Sequence, residues 1–198
     1  MIILYEIEKS LYVNITNRCP CNCTFCLRNE GDEVNGSGSL WLEREPSLEE
    51  ILNDFKKHDL SKYSEVVFCG YGEPLERIEE VIEISKYIKS ISPIKIRINT
   101  NGLGDLIHKK NTAKMLENIV DEVSISLNAP SKEEYFELCK PKFGIESFES
   151  LLSFAKEAKK YVKEVQFSIV DDISKDQIER CKTLTKSLEI PLRIREKQ

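Results

Sequence analysis

The chain has 198 residues, 40% hydrophobic and 32% charged, an ordinary globular mix that excludes collagen-like, mucin-like and wholly disordered chains. Its length suits one domain with a sizeable core, and a formal net charge of −5 makes it a poor non-specific binder of nucleic acid. No apolar run has the length of a membrane span and the first ten residues carry no basic n-region, so no membrane association and a cytoplasmic, reducing location are expected.

Two alternating runs open the chain, at 2–7 and 11–16, with Glu8 and Lys9 between them, and read as a hairpin. Next comes Asn17-Arg18-Cys19-Pro20-Cys21-Asn22-Cys23-Thr24-Phe25-Cys26. The chain has 7 cysteines, an odd number, and four of them crowd into this segment, which in a cytosolic protein points to metal rather than disulfides. Cys19, Cys23 and Cys26 give C-x3-C-x2-C, a spacing at which thiolates can wrap an iron–sulfur cluster. Three thiolates on four irons leave one iron open to a further ligand. A zinc site with Cys21 as fourth ligand is the alternative, although neither His58 nor His108 is near in sequence.

A Gly/Ser-rich loop at 31–39 follows. From there, strand-like runs at 65–69, 94–99, 122–128, 164–170 and 191–195 alternate with helix-like runs at 48–58, 78–91, 105–119, 147–161 and 175–188. Ser47 with Glu50, Ser131 with Glu134 and Ser174 with Gln177 fit the helix-capping box, in which the hydroxyl accepts from an orphan amide and the later side chain reaches back. Pro46 and Pro130 stand just ahead of two of these caps. Alternating β and α segments imply a parallel sheet with right-handed crossovers. Six steps of roughly 30 residues fill the chain, whereas an eightfold barrel needs about 250. The expected fold is therefore α/β, a partial (β/α)6 barrel of parallel strands, with the hairpin adding an N-terminal edge strand. Residues 1–198 are expected to form a single domain with no separate C-terminal one.

The strands are not the continuous apolar runs of a sheet buried on both faces. Leu11, Val13 and Ile15 alternate with Tyr12, Asn14 and Thr16; Ile94, Ile96 and Ile98 with Lys95, Arg97 and Asn99. Val123, Ile125 and Leu127 alternate with Ser124, Ser126 and Asn128; Val165, Phe167 and Ile169 with Gln166, Ser168 and Val170; Leu192 and Ile194 with Arg193 and Arg195. A period of two sets the apolar residues under the helices and the polar ones inside the curl. Unpaired polar groups are costly in a dry core, so the inside is expected to be a wet, ligand-holding cavity. Lys95, Arg97, Arg193 and Arg195 make it locally basic and suited to an anionic occupant. The alternative is one solvated face, its arginines paired to nearby acids such as Glu196.

These residues resemble the radical S-adenosylmethionine (SAM) superfamily, whose cluster loop has this spacing with an aromatic residue, here Phe25, before the last cysteine. More narrowly, the chain resembles the small TatD-linked radical SAM proteins at 11–26, 68–75 (FCGYGEPL), 97–104 (RINTNGLG), 124–130 (SISLNAP), 138–144 (LCKPKFG) and 190–196 (IPLRIRE). The resemblance implies that Cys19, Cys23 and Cys26 hold a 4Fe–4S cluster whose open iron is chelated by SAM. Tyr71, Gly72 and Glu73 stand where the family carries its GGE motif, which meets the SAM amino group; Tyr71 replaces the first glycine. Asn99 and Thr100 would lie beside that amino end. Ser126 and Asn128 would serve the carboxylate and ribose, and Ser168 and Val170 the adenine-side wall. Arg193 or Arg195 would bind the SAM carboxylate or the substrate. The implied activity is reductive cleavage of SAM to a 5′-deoxyadenosyl radical that abstracts hydrogen from an unknown substrate, with a flavodoxin- or ferredoxin-type electron donor as partner. A glycyl-radical-type activase of a partner protein, or a non-catalytic zinc or iron–sulfur module, are the alternatives.

Other residues read more plainly. Cys69 and Cys181 are expected in the core. Cys139, in Leu-Cys-Lys-Pro, is a candidate hydrogen-atom donor. Trp41 reads as a lid anchor or core residue. Lys156, Lys159, Lys160 and Lys163 read as a solvated helix face.

Overall fold

Seven strands form one sheet in the order of the sequence. The structure, a computed structural model, describes residues 1–29, 31 and 36–196. Strand β1 (Leu4–Ile7) lies antiparallel to β2 (Ser10–Val13), and Glu8 takes a positive φ in the turn between them. Strands β3 (Glu65–Phe68), β4 (Lys95–Thr100), β5 (Glu122–Ser126), β6 (Glu164–Val170) and β7 (Leu192–Arg195) each pair in parallel with the strand before. Sequential order with crossovers of one hand keeps the helices on one face and curls the sheet. The result is the partial (β/α) barrel that the sequence implies, with β1 as its extra edge strand.

The helices are α1 (Leu48–Phe55), α2 (Ile78–Ile91), α3 (Gly104–His108), α4 (Thr112–Met115), α5 (Lys132–Cys139), α6 (Ser147–Tyr161) and α7 (Lys175–Ser187). Ser47 and Ser174 complete both halves of the capping box. Ser131 accepts from the Glu134 amide, but the Glu134 carboxylate takes the Ser131 hydroxyl and turns to Arg180 of α7. The single helix expected at 105–119 is broken in two. Lys109 takes a left-handed φ of 55°, and Asp105 accepts from both the amide and the hydroxyl of Thr112. Local side-chain bonds to the backbone here outcompete a continuous helix. The structure adds α5, which sequence periodicity missed although its cap was legible. The runs at 2–7, 11–16 and 122–128 are shorter as strands; the last ends because Asn128 has a φ of 59°. Of the loop expected at 31–39, residues 32–35 lie outside the described residues.

The apolar strand face is buried against the helices. Leu11, Val13, Val66, Phe68, Ile96, Ile98, Val123, Ile125, Phe167 and Ile169 share one core with Ile51 and Phe55 of α1, Ile84 and Ile88 of α2, and Leu151 and Phe154 of α6. Burying a side chain of this size contributes about 1.5–3 kcal/mol.

The opposite, inner face is layered by register. Tyr12, Val67, Arg97, Glu122 and Glu164 form one row; Asn99, Ser124 and Gln166 the next; Ser126, Ser168 and Arg193 the one above. The lower rows correct an expectation. Lys95 and Arg97 do not serve an anion: Lys95 lies 2.7 Å from both Glu122 and Glu164, and Arg97 grips Glu65 at 2.6 and 3.0 Å and donates to Asn99 at 2.8 Å. The N-terminal half of the interior is crossed by its own ion pairs, whereas the half towards the C-terminal strand ends carries the uncharged Asn99, Ser126 and Ser168. A separate recess of ≈ 490 Å³, lined by Glu122, Glu164 and Gln166 among others, sits at the N-terminal ends of β5 and β6. Among the described residues no helix is long and apolar enough to cross a membrane.

Candidate functional site

The cysteine loop leaves β2 at the C-terminal end of the parallel strands, where barrel chemistry is generally placed. Three segments hold it. Asn14 donates to the carbonyl of Leu40 at 2.8 Å, and Asn17 exchanges two hydrogen bonds with the backbone of Leu42, so the chain after the cysteines folds back onto the end of β2. From β3, the Glu73 amide donates to the Arg18 carbonyl at 2.8 Å. A Cβ on Gly72 would stand 2.2 Å from the Thr16 carbonyl oxygen and 2.7 Å from that of Arg18. Gly72 is thus required for a close approach, as expected of it, but the approach is to the chain's own backbone. From α5, residues 138–142 form a strap: the amides of Asn22 and Thr24 donate to Cys139 and Leu138, and the Lys142 amide donates to Pro20. The LCKPKFG stretch therefore clamps the cysteine loop.

Within the loop the thiols divide. Cys19, Cys23 and Cys26 are half-buried, whereas Cys21 is 5% exposed and turned into the core, where it meets the Tyr135 hydroxyl at 4.0 Å. Cys139 is also enclosed, within reach of the Asn128 amide at 3.7 Å. Hydrogen bonding from Cys139 and then Cys21 lowers the Cys23 thiol to about 4, and a bond from Cys21 lowers that of Cys19. The donors Cys21 and Cys139 are pushed up, through their bonds to Cys19 and Cys23 and to Cys23 respectively. The cluster of thiols thus favours the ligating thiolate form on the cysteine loop.

Two polar residues not singled out in the sequence face these sulfurs. The Asn101 side chain lies 3.8 Å from the Cys19 sulfur, and Arg28 donates through Nε to Cys26 at 3.4 Å. The Asn101 signal was present in the Thr-Asn-Gly stretch; Arg28 stands two residues after the last cysteine. Hydrogen bonds to sulfur of this kind suit thiolates on an iron–sulfur cluster. Among the described residues no group of three or more His, Cys, Asp or Glu side chains closes on a single metal ion. The donor set of three thiols on one loop, with N–H groups aimed at two of them, fits a 4Fe–4S cluster.

The remaining candidates are placed unequally. Asn99, Ser126 and Ser168 lie on the inner face, with Asn128 just beyond β5; the Asn128 Oδ1 is buried without a hydrogen-bond partner among the described residues. Arg193 and Arg195 lie on that face in β7, and Val170 pairs with Arg195. Two candidates depart. Thr100 shares the core face with Ile125 and is 2% exposed; its hydroxyl donates to Glu73 at 2.6 Å. Glu73 is 4% exposed and also accepts from the amides of Asn101 and Leu75 at 2.7 and 3.0 Å. Its carboxylate ties the ends of β3 and β4 together and is turned inward rather than to an open cavity. Burial pushes it up to about 7 despite those bonds.

Tyr71, the departure from the family's glycine, is buried with Tyr5 and Leu40, donates to the Gly31 carbonyl at 2.7 Å, and meets Trp41 edge-on at 5.1 Å. Trp41 is 38% exposed and lies under the Arg28 guanidinium at 5.8 Å, so it braces the cysteine loop rather than filling the core. Cys69 is also a correction: it is half-buried, beside Asn99 and Arg195 on the inner side, while Cys181 is in the core as expected.

Comparison with known proteins bears on this arrangement. The chain is 27% identical to the dual-specificity RNA methyltransferase RlmN of Nautilia profundicola, over 92% of this chain and 51% of that protein. It is 32% identical to the GTP 3′,8-cyclase of Corynebacterium glutamicum over 67% of this chain and 34% of that one. It thus spans about half or less of these relatives. The crystal structure of Streptococcus suis SuiB bound to S-adenosylmethionine shares the fold, with a TM-score of 0.67 at 20% identity over 97% of this chain and 40% of that chain. The family model of the Radical SAM superfamily matches residues 13–183, from the last residue of β2 into α7, and with that span of the barrel accounted for, the chain belongs to the radical SAM superfamily.

Proposed function

We propose that the protein is a radical SAM enzyme in which Cys19, Cys23 and Cys26 hold a 4Fe–4S cluster and SAM binds between that loop and the upper inner face. When bound, the pair supplies a low-potential electron and a 5′-deoxyadenosyl radical that takes a hydrogen atom from the substrate. The observation that carries the reading is the C-x3-C-x2-C loop strapped at the mouth of a partial barrel whose upper interior is polar. Arg28 and Asn101 donate towards the sulfurs and favour their anionic form. The unpartnered Asn128 Oδ1 is free to accept from a ribose hydroxyl or an ammonium group, with Asn99, Ser126 and Ser168 on the same side. Glu73, Thr100 and Gly72 act by holding the β3 and β4 ends against the loop. Residues 138–142 and Trp41 limit the access of water to it.

A flavodoxin- or ferredoxin-type protein is the proposed electron donor. Seven free thiols fit a reducing cytoplasm. Within the superfamily, the motifs at 68–75, 97–104 and 138–144 lead us to group the chain with the small TatD-linked proteins. The named relatives act on different substrates, so no substrate is carried over from them.

The test is anaerobic reconstitution with iron and sulfide, followed by reductant and SAM and quantification of 5′-deoxyadenosine. We expect 5′-deoxyadenosine from the wild type and none from Cys23→Ala, while Cys21→Ala keeps the cluster's absorption. A verified cluster that binds no SAM would overturn the reading, and loss of the cluster in Cys21→Ala would overturn the ligand assignment.

A further inference from the structure

Two guanidinium groups on one face are treated in opposite ways. Arg97 is matched: Glu65 takes two of its N–H groups and Asn99 a third. Arg195 is not. Its Nε is buried and has no hydrogen-bond partner among the described residues. No ion pair among those residues involves Arg193 or Arg195, and the pairing with Glu196 weighed from the sequence does not form. Arg195 lies on the inner strand face opposite Val170, and the charges acting on it most are those of Cys69, Arg193, Tyr12 and Arg97, two of them further cations. Burial is the main cause holding its pKa below the ordinary guanidinium value, with Arg193 and Arg97 adding to it. A half-buried cation whose Nε is shut off from water without a partner is costly unless something outside the protein completes it.

The register places a second cation beside this one. Arg193 pairs with Ser168 two residues before Arg195 on the same strand face, and its side chain is exposed, so it stands at the rim of the site rather than within it. The planar fork of arginine matches the oxygens of a phosphate or a carboxylate. No hydrogen bond among the described residues joins Arg195 to the cysteine loop, whose polar contacts include Arg28 and Asn101. We infer that Arg195, with Arg193 at the rim, forms a binding site for an oxyanion, phosphate or carboxylate, carried by the substrate and held at the β7 edge of the inner face. This deepens the proposed function and rests on it for the word substrate; the anion site itself rests on the arginines.

Inorganic phosphate is the probe, added to the reconstituted full chain with chloride at matched ionic strength as the control. Phosphate is expected to raise the melting temperature of the wild type by mass action. Arg195→Met should bind it at least about tenfold more weakly, and Arg195→Lys, which keeps the charge but lacks Nε, should fall between. In chloride alone Arg195→Met should melt no lower than the wild type, because among the described residues the guanidinium has no hydrogen-bond or ion-pair partner to lose. An equal phosphate response in wild type and Arg195→Met would overturn the site, as would a lower melting point of that variant in chloride. Competition between SAM and phosphate, with SAM binding lost in both variants, would assign the arginines to the SAM carboxylate instead. A wild type that responds to phosphate but binds no SAM would overturn the proposed function and leave the anion site standing.

Discussion

Glu73 is a carboxylate held where water does not reach, and its three hydrogen bonds do not fully compensate for that burial. Its pKa is raised from 4.5 to about 7. The folded chain therefore binds more protons than the unfolded chain between those values, and stability falls as pH rises through that window. The loss from this one group is about 3 kcal/mol by pH 8. Melting temperatures of the metal-free protein between pH 5 and 8 should show Glu73→Gln converging on, or passing, the wild type as pH rises; parallel curves would exclude the effect. At this scale the cysteine spacing was fully legible because it is local in sequence. What Glu73 and Thr100 do was not. Their partners come from neighbouring strands, and Thr100 is the residue at which β4's alternation places a hydroxyl on the core side.

Among the elements, the join between the end of β3 and the cysteine loop is the tightest. A Cβ at Gly72 would press on two backbone carbonyl oxygens, neither of which can rotate away as a side chain can. Gly72→Ala should cost about 1–3 kcal/mol or more in thermal or denaturant unfolding of the metal-free chain. An unchanged melting point would mean that the loop can shift. Helix caps are a milder test of the same scale: Ser174→Ala removes one half of a complete box and should destabilise by about 1 kcal/mol, measured by urea unfolding. The strands and most helices were readable because their periods, 2 and 3.6, are set by burial on one side. The break at Lys109 was not readable, since it depends on Asp105 finding Thr112 rather than on any run of residues. Helix α5 was hidden for a related reason: it is short, and its apolar positions serve the strap as much as the core.

For the whole molecule, the decisive division is between a lower interior crossed by ion pairs and an upper interior lined by uncharged polar side chains. Alternation along single strands showed the polar face but not its pairing, because Glu65, Lys95, Arg97, Glu122 and Glu164 meet only once four strands are in register. Arg97→Met should therefore destabilise strongly, by about 3 kcal/mol or more, since it strands the largely enclosed Glu65 carboxylate. Glu65→Gln in the same background should recover part of the loss in urea unfolding; no recovery would mean that packing rather than charge sets the cost.

The strap has a consequence in time. Thr24 bonds to Leu138, and Cys21 meets Tyr135, each across 114 residues of chain. At a synthesis rate of about 5–20 residues per second, roughly 6–23 s separate the emergence of the thiols from that of the residues that close over them. Throughout that interval the four cysteines sit on a nascent hairpin, open to oxidants and stray metal ions, and the cradle takes its final shape only when β5 and α5 arrive.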